Sequence, residues 1–455
     1  MASKKDLVEA HSFNRRRLVT AFVSGAPGGR EVEPVRYGRT LVGGLVLAAL
    51  VVVGAAVSPL LVQDVPEDWL DNGMVVGKES GSRFVAFDGR LYPVINTTSA
   101  RLILASEGSF EVTFVPDEKI AEQEQGPTIG IAGAPDLLPE PEDLVQSGWT
   151  ACTNTSGGIK VSVLPDPGAR PSGDGAFVVS SRSDGQVYVI SGEHRYAVPP
   201  GARGTASLRA LGLDGEAAQP VPGLWLDLIT PGASLEPFTV RGAGDRMDTG
   251  VDGLDTVGAP VKVDGRPYVL SRDGLLPVSD FAYTLYRSSG PGAQIPEQQK
   301  ESGDITELRT VNDAGARPYP ADWPESDVTP YDNGDAPCLL LTTADESAPQ
   351  VRLAAAPDDE VVPTGSTVTR TVESGHGAVV EASAGGVIGA GTTFLVDATG
   401  TRYAVGEKGA VTAAMTALGY ADVEPATVPA PWMDLFGDGP ELTPRAATQA
   451  TGTQS

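Results

Sequence analysis

The sequence predicts an α+β protein. One N-terminal transmembrane helix is followed by an ectodomain of four small β-hairpin/helix repeat units around a mainly β central domain. Three observations predict it. Residues 41–62 (LVGGLVLAALVVVGAAVSPLLV) form an apolar run without a charge, residues 196–237 align without gaps onto 403–444, and the two cysteines, Cys152 and Cys338, both fall outside the repeats.

The apolar run comes first. About 20 apolar residues span a bilayer core as a helix. The run begins after some forty basic-leaning residues, too late for a cleavable signal peptide, whose apolar region is shorter and closer to the start. A retained anchor is expected. Residues 1–40 carry Lys4, Lys5, Arg15, Arg16, Arg17, Arg30, Arg36 and Arg39 against Asp6, Glu9, Glu31 and Glu33, whereas the whole chain carries −26. Basic flanks stay cytoplasmic. The expected placement is therefore the cytoplasmic membrane, single-pass, with the N-terminus inside and residues 63–455 outside.

Leu7, Ala10, Asn14, Leu18, Ala21 and Phe22 fall on one helical face of the arm, flanked by Arg15, Arg16 and Arg17. Such a basic amphipathic helix suits the membrane surface, and docking on a partner helix is equally allowed. Arg15, Arg16, Arg17, Leu18 and Phe22 are the candidate docking residues. Gly44 with Ala48, and Gly54 with Ser58, give the run the small-xxx-small spacing used by associating membrane helices, so self-association is expected.

The ectodomain of about 390 residues is long enough for several small cores. Its acidity argues against nucleic acid, which needs basic patches, and fits solubility in a salty exterior. Two cysteines in an oxidising compartment most simply pair; two buried free thiols are the alternative. A bridge would close a very long loop, on the order of 4–5 kcal/mol in the chain-entropy model. His11, His194 and His376 show no metal-ligand spacing, and no metal or other cofactor is expected.

The duplication runs at a constant offset of 207 residues. Tyr196 matches Tyr403, Leu211-Gly212 matches Leu418-Gly419, and Trp225-Leu-Asp-Leu matches Trp432-Met-Asp-Leu. Upstream, 186–191 (QVYVIS) and 194–198 (HRYAV) alternate like paired strands, as do 393–397 (TFLVD) and 401–405 (TRYAV). Weaker copies are 83–94, turning at Asp88-Gly89, and 261–270, turning at Asp264-Gly265. Each hairpin leads toward a helix, at 99–105, 206–213, 280–287 and 410–419. Gly212 and Gly419 stand where helix-ending glycines would.

The expected organisation is a basic arm with an amphipathic helix at 1–40, the membrane helix at 41–62, and repeat 1 at 63–125. The first part of the central domain is at 126–175, repeat 2 at 176–245 and repeat 3 at 246–299. The second central part is at 300–375, repeat 4 at 376–444 and a disordered polar tail at 445–455.

Catalytic signatures are missing from the sequence. The string nearest a phosphate loop, from Gly73 to Glu79, is one residue short and ends in Glu rather than Ser or Thr. No G-x-S-x-G or H-E-x-x-H string occurs. Tyr196, Trp225, Tyr403 and Trp432 recur at equivalent positions, either to pack each unit or to stack on glycan.

Several strings occur together in order: Arg15-Arg16-Arg17-Leu18 before Ala21-Phe22, Val76-Gly77-Lys78, the hairpin 83–94, and Asn96 with Ser99-Ala100-Arg101-Leu102. They continue with 130–136 (GIAGAPD), Trp149 three residues before Cys152, and the late Cys338. In this the chain resembles EccB, the single-pass membrane component of type VII (ESX) secretion systems, over essentially its whole length. The resemblance implies an elongated ectodomain of four repeats around a central domain with a disulfide. It implies a membrane core complex with the motor ATPase EccC, with EccD and EccE, near a mycosin protease. The function expected is a structural scaffold for protein export, without chemistry of its own. The alternatives are a membrane-anchored cell-wall (peptidoglycan) binding module, or an ATPase with a non-standard site, an activity ascribed to EccB-like proteins.

Overall fold

The computed structural model describes residues 3–24, 42–49, 51, 65–87, 89–104, 110–311, 317–324, 328–331, 334–343, 348–357, 367–384, 389 and 391–451. The chain divides into two units, Met1–Pro66 and Glu67–Ser455.

In the first unit, Lys4–Ser24 is one α-helix. Its apolar residues Leu7, Val8, Leu18, Val19, Phe22 and Val23 are exposed. At about 100° per residue, Arg15 falls among them, so the helix is less cleanly two-faced than the stripe Leu7–Leu18–Phe22 alone suggests. Residues 42–49 and 51 of the apolar run are helical and exposed, and the rest of 41–62 lies outside the described residues. Among the described residues no helix is long and apolar enough to cross a membrane. The expected single span is thus not displayed.

The second unit is mixed α and β, mostly sheet, and its described residues form five sheets, four of which share a plan. Three strands form an antiparallel meander, a helix follows, and a further strand returns parallel to the first. The first strands are Asn72–Gly77, Gly175–Ser181, Pro260–Val263 and Ala378–Ser383. The returning strands are Val112–Val115, Gln219–Val221, Gln298–Lys300 and Ala426–Pro429. Parallel neighbours need a crossover rather than a tight turn. The helices Thr97–Leu104, Ala202–Ala210, Asp280–Ser289 and Val411–Leu418 lie within these crossovers.

Local chemistry explains where these helices start and stop. Ser279 Oγ accepts from Ala282 N–H and caps Asp280–Ser289. Ala202–Ala210 and Val411–Leu418 end alike. Gly212 and Gly419 adopt φ of 76° and 96°, the left-handed region open to glycine. The next N–H then reaches back five residues, Leu213 to Leu208 O at 2.7 Å and Tyr420 to Met415 O at 2.8 Å.

The hairpins at 83–93, 187–197 and 392–404 join the second and third strands of their sheets. The turn Asp264-Gly265 differs, because it joins the first and second strands. Both of its residues have positive φ, 47° and 82°, as a type I′ turn requires. The second-to-third connection in that sheet is Arg272-Asp273, closed by Gly274 at φ of 129°.

The fifth sheet runs Val368–Val372, Ile159–Val163, Trp149–Thr153, Asp335–Thr342, Gln350–Pro357 and Arg170–Pro171. It draws strands from both non-repeat stretches. One core joins its inner face to the second and fourth repeat sheets. A second core joins helices Ala202–Ala210 and Asp280–Ser289, and a third brings Leu102 and Ile131 against Val411–Leu418.

The polar tail is a correction. Residues 445–451 are ordered rather than disordered: Pro444–Ala447 is helical, capped by Thr443. Ala447 is fully buried, and Thr451 N–H donates to Thr128 O. The tail's low apolar content concealed this because one small side chain and backbone hydrogen bonds do the docking.

Candidate functional site

Of the side chains singled out by the sequence, Trp225 and Trp432 lie at joints between sheets and the two cysteines lie within the fifth sheet. Cys152 and Cys338 are registered partners on adjacent antiparallel strands, with Cα atoms 3.9 Å apart, and they form a disulfide. Both are buried with Ala169, Leu340, Ala354 and Ala356. The bridge staples the first central stretch to the second, which lies 186 residues away.

Trp225 and Trp432 are completely buried in the shared core beside Trp149. Buried indoles need a partner for their N–H. Trp149 Nε1 donates to Val145 O at 2.8 Å, Trp225 Nε1 to Ala151 O at 2.9 Å, and Trp432 Nε1 to Leu228 O at 3.2 Å. The Trp225 bond ties the second repeat to the central sheet, and the Trp432 bond ties the fourth repeat to the second. Phe436 meets Trp149 edge-on at 5.5 Å. Neither indole is accessible in this fold, and both pack within the shared core.

Tyr196 and Tyr403 are buried as well. Tyr196 donates its hydroxyl to Asp322 O, and Tyr403 donates to Asp397 Oδ2 at 3.1 Å. Burial, and then the Asp397 charge, push the Tyr403 phenol up to about 12. Burial with the nearby Asp322 and Glu193 pushes Tyr196 up too.

Beside these tyrosines stand residues that sequence reading passed over. Arg195 pairs with Asp227 at 3.0 Å, and Arg402 pairs with Asp434 at 3.2 Å and Asp438 at 2.8 Å. Arg195 lies over Tyr188 and Arg402 over Phe394. The signal was present as a repeated spacing of 32 residues between Arg and Asp.

The string GIAGAPD forms a strap on the first repeat helix. Asn96 Oδ1 accepts from Ser99 N–H and Oγ–H, while Asn96 Nδ2 donates to Ile131 O. Asp136 accepts Thr97 N–H at 3.0 Å and Arg83 Nη1 at 2.6 and 2.7 Å. Burial opposes ionisation of Asp136, but Arg83 and Thr97 outweigh it and hold its carboxyl below the usual range. A Cβ on Gly130 would sit 2.6 Å from Ile95 Cγ1. Glycine there permits the close approach.

Arg15, Arg16, Arg17, Leu18 and Phe22 lie along Lys4–Ser24, and all five are exposed. The near-phosphate-loop string is a sheet strand. Asn72–Gly77 pairs with a neighbour on each side, and Lys78 N–H is bound by Val115 O at 2.9 Å. Backbone amides so engaged cannot cradle phosphate as a loop before a helix does. Among the described residues no three His, Cys, Asp or Glu side chains converge as a metal site would need.

The family model described as "Type VII secretion system ESX-1, transport TM domain B" matches residues 1–454. The chain is 29% identical over 314 residues to the "ESX-2 secretion system ATPase EccB2" of Mycobacterium tuberculosis (strain ATCC 25618 / H37Rv). That match spans 65% of this chain and 61% of the relative, so it leaves over a third of the relative unmatched. The "ESX-3 secretion system ATPase EccB3" of the same strain is 25% identical over 467 residues, covering 93% and 85%. In fold the chain is similar to a chain of an intact ESX-5 inner membrane complex (TM-score 0.67, 22% identity, 100% and 96% covered). It is likewise similar to the EccB3 dimer from the ESX-3 core complex (TM-score 0.66, 22% identity, 83% and 100% covered). The chain belongs to the EccB family of type VII secretion systems.

Proposed function

We propose that this chain is a structural scaffold subunit of a type VII secretion inner-membrane complex. In this reading it is anchored by residues 41–62, with its N-terminus cytoplasmic and its sheets on the outer side. It assembles with further copies of itself and with the motor ATPase EccC, EccD and EccE, near a mycosin protease. The observation that carries the reading is the interlocking of distant segments. The Trp225 and Trp432 indoles and the Cys152–Cys338 bridge hold two repeats and two central stretches as one body. A rigid body that spends its polar and aromatic groups on internal joints suits organising neighbours rather than turning over a substrate.

The test is to tag the C-terminus, solubilise membranes in mild detergent and identify what co-elutes at large size. Co-elution with a motor ATPase and a multi-span protein is expected. Elution as a lone monomer or dimer would overturn the reading. The names of these relatives, ATPase EccB2 and ATPase EccB3, favour a second reading, an ATPase. Highly purified protein with turnover abolished by one point substitution would support it. Turnover at contaminant level, insensitive to substitution, would not.

A further inference from the structure

Among the described residues, sheet edges are protected everywhere except at one place. An edge strand presents unpaired N–H and C=O groups, and proteins blunt such edges with proline or charge. Prolines 93, 220, 231, 277, 330 and 429 stand in six of the edge strands. The remaining edges carry Arg170, Lys300, Arg370 or Asp438. The exception is Val112–Val115 (VTFV), the edge of the first repeat sheet, which has neither.

This strand is also exposed. Val112 is 43% and Phe114 58% accessible, on a chain of net charge −26. Val112 and Phe114 are in register with Met74 and Val76, so they share one face of the sheet. Met74 N–H donates to Glu111 O at 2.8 Å and Lys78 N–H to Val115 O at 2.9 Å. By alternation, Glu111, Thr113 and Val115 bond the neighbouring strand. The N–H and C=O of Val112 and Phe114 then point out of the sheet.

We propose that this edge is where a second copy of the chain docks, by antiparallel pairing of Val112–Val115 with itself. The proposal rests on the self-association in the reading above and names its site. A two-fold interface brings one patch against its own copy. With the axis at Thr113, Val112 of each copy meets Phe114 of the other as a hydrogen-bonded pair. The side chains then form two apolar cross-strand contacts. Glu111 falls opposite Val115, so no carboxylate faces another within the strand. A self-pairing strand must satisfy that condition on an acidic protein.

The test uses the full chain in mild detergent, with mass measured by light scattering across a dilution series. Wild type is expected to be dimeric. V112K and F114K should weaken the dimer at least tenfold while leaving the fold intact by far-ultraviolet circular dichroism, because both side chains are exposed. Both native cysteines are bridged, so T113C supplies a lone thiol. Non-hydrogen-bonded antiparallel partners lie about 4.5 Å apart at Cα, within disulfide reach. T113C should therefore cross-link to its own copy on oxidation, and E216C should not. A dimer indifferent to both lysines, with T113C uncrosslinked, would overturn the edge assignment while self-association stands. A monomeric wild type would overturn both. Loss of a different subunit from F114K, with the dimer intact, would give the edge to that subunit and also overturn the proposal.

Discussion

Arg402 repeats, 207 residues later, the position and partners of Arg195. Each guanidinium lies over an aromatic ring, Phe394 or Tyr188, and pairs with the Asp that ends the following helical turn, Asp434 or Asp227. Both arginine side chains are about four-fifths buried. This pair shows the duplication as physics: the same strand is clamped to the same helical turn in two places. Arg402 holds one carboxylate more, Asp438, where the matching position in the second repeat is Pro231.

The joint between repeats should be cooperative. Trp225→Ala and Trp432→Ala should each lower stability by about 3–5 kcal/mol, the cost of a large core truncation. Trp432 donates to Leu228 O, three residues beyond Trp225. The double variant should therefore lose less than the sum of the two. Urea unfolding of the four proteins checks this, and strict additivity would argue against a shared joint.

Removing the disulfide should be felt across the whole second unit. Cys152→Ser closes no long loop in the unfolded chain and should cost about 4–5 kcal/mol in the chain-entropy model. Dithiothreitol should lower the melting temperature of wild type toward that of the variant, and leave the variant unmoved. Matching melts for wild type and variant under oxidising conditions would refute it.

Acid should loosen the strap on the first repeat helix. The carboxyl of Asp136 is held below its ordinary value by Arg83 and Thr97 against the opposing effect of burial. A depressed folded value contributes stability that is fully present above the unfolded value, near 4. That stability is lost as pH falls through the folded one. Asp136→Asn should remove part of the acid-side fall in melting temperature below about pH 4 and leave the slope near neutrality unchanged.

Alkali acts through the buried tyrosines. Burial raises Tyr286 and Tyr403 to about 12, and raises Tyr196, Tyr283 and Tyr420 as well. A raised folded value contributes stability that is present below the unfolded value, about 10. It is lost as pH rises through the folded value. Ultraviolet titration should show a group of late phenols ionising with unfolding. Tyr403→Phe should shrink that group and lessen the alkaline loss.

Much was legible in the sequence because it is local or periodic. Alternation in HRYAV and TRYAV marked paired strands, Gly212 and Gly419 marked helix ends, and the constant offset marked duplicated units. The third repeat shows the limit. Asp264-Gly265 is a strong turn signal, yet which pair of strands it joins depends on a third strand that no local pattern orders. The returning parallel strands escaped notice for the same reason, since their partners lie tens of residues away.

By itself the sequence determined the periodic and chemical facts: the basic arm, the uncharged run, the duplication, two pairable cysteines and helix ends closed by glycine. These depend on residues within a turn or a hairpin of one another, where backbone sterics and apolar spacing act directly. Only the tertiary structure decided that Trp225 and Trp432 are joints rather than surfaces, that Arg83 reaches Asp136, and that residues 445–451 are docked. It also decided that, among the described residues, nothing pairs with the outer edge of Val112–Val115. Burial and edge exposure depend on which distant segments cover a residue, and that is settled only when the sheets pack.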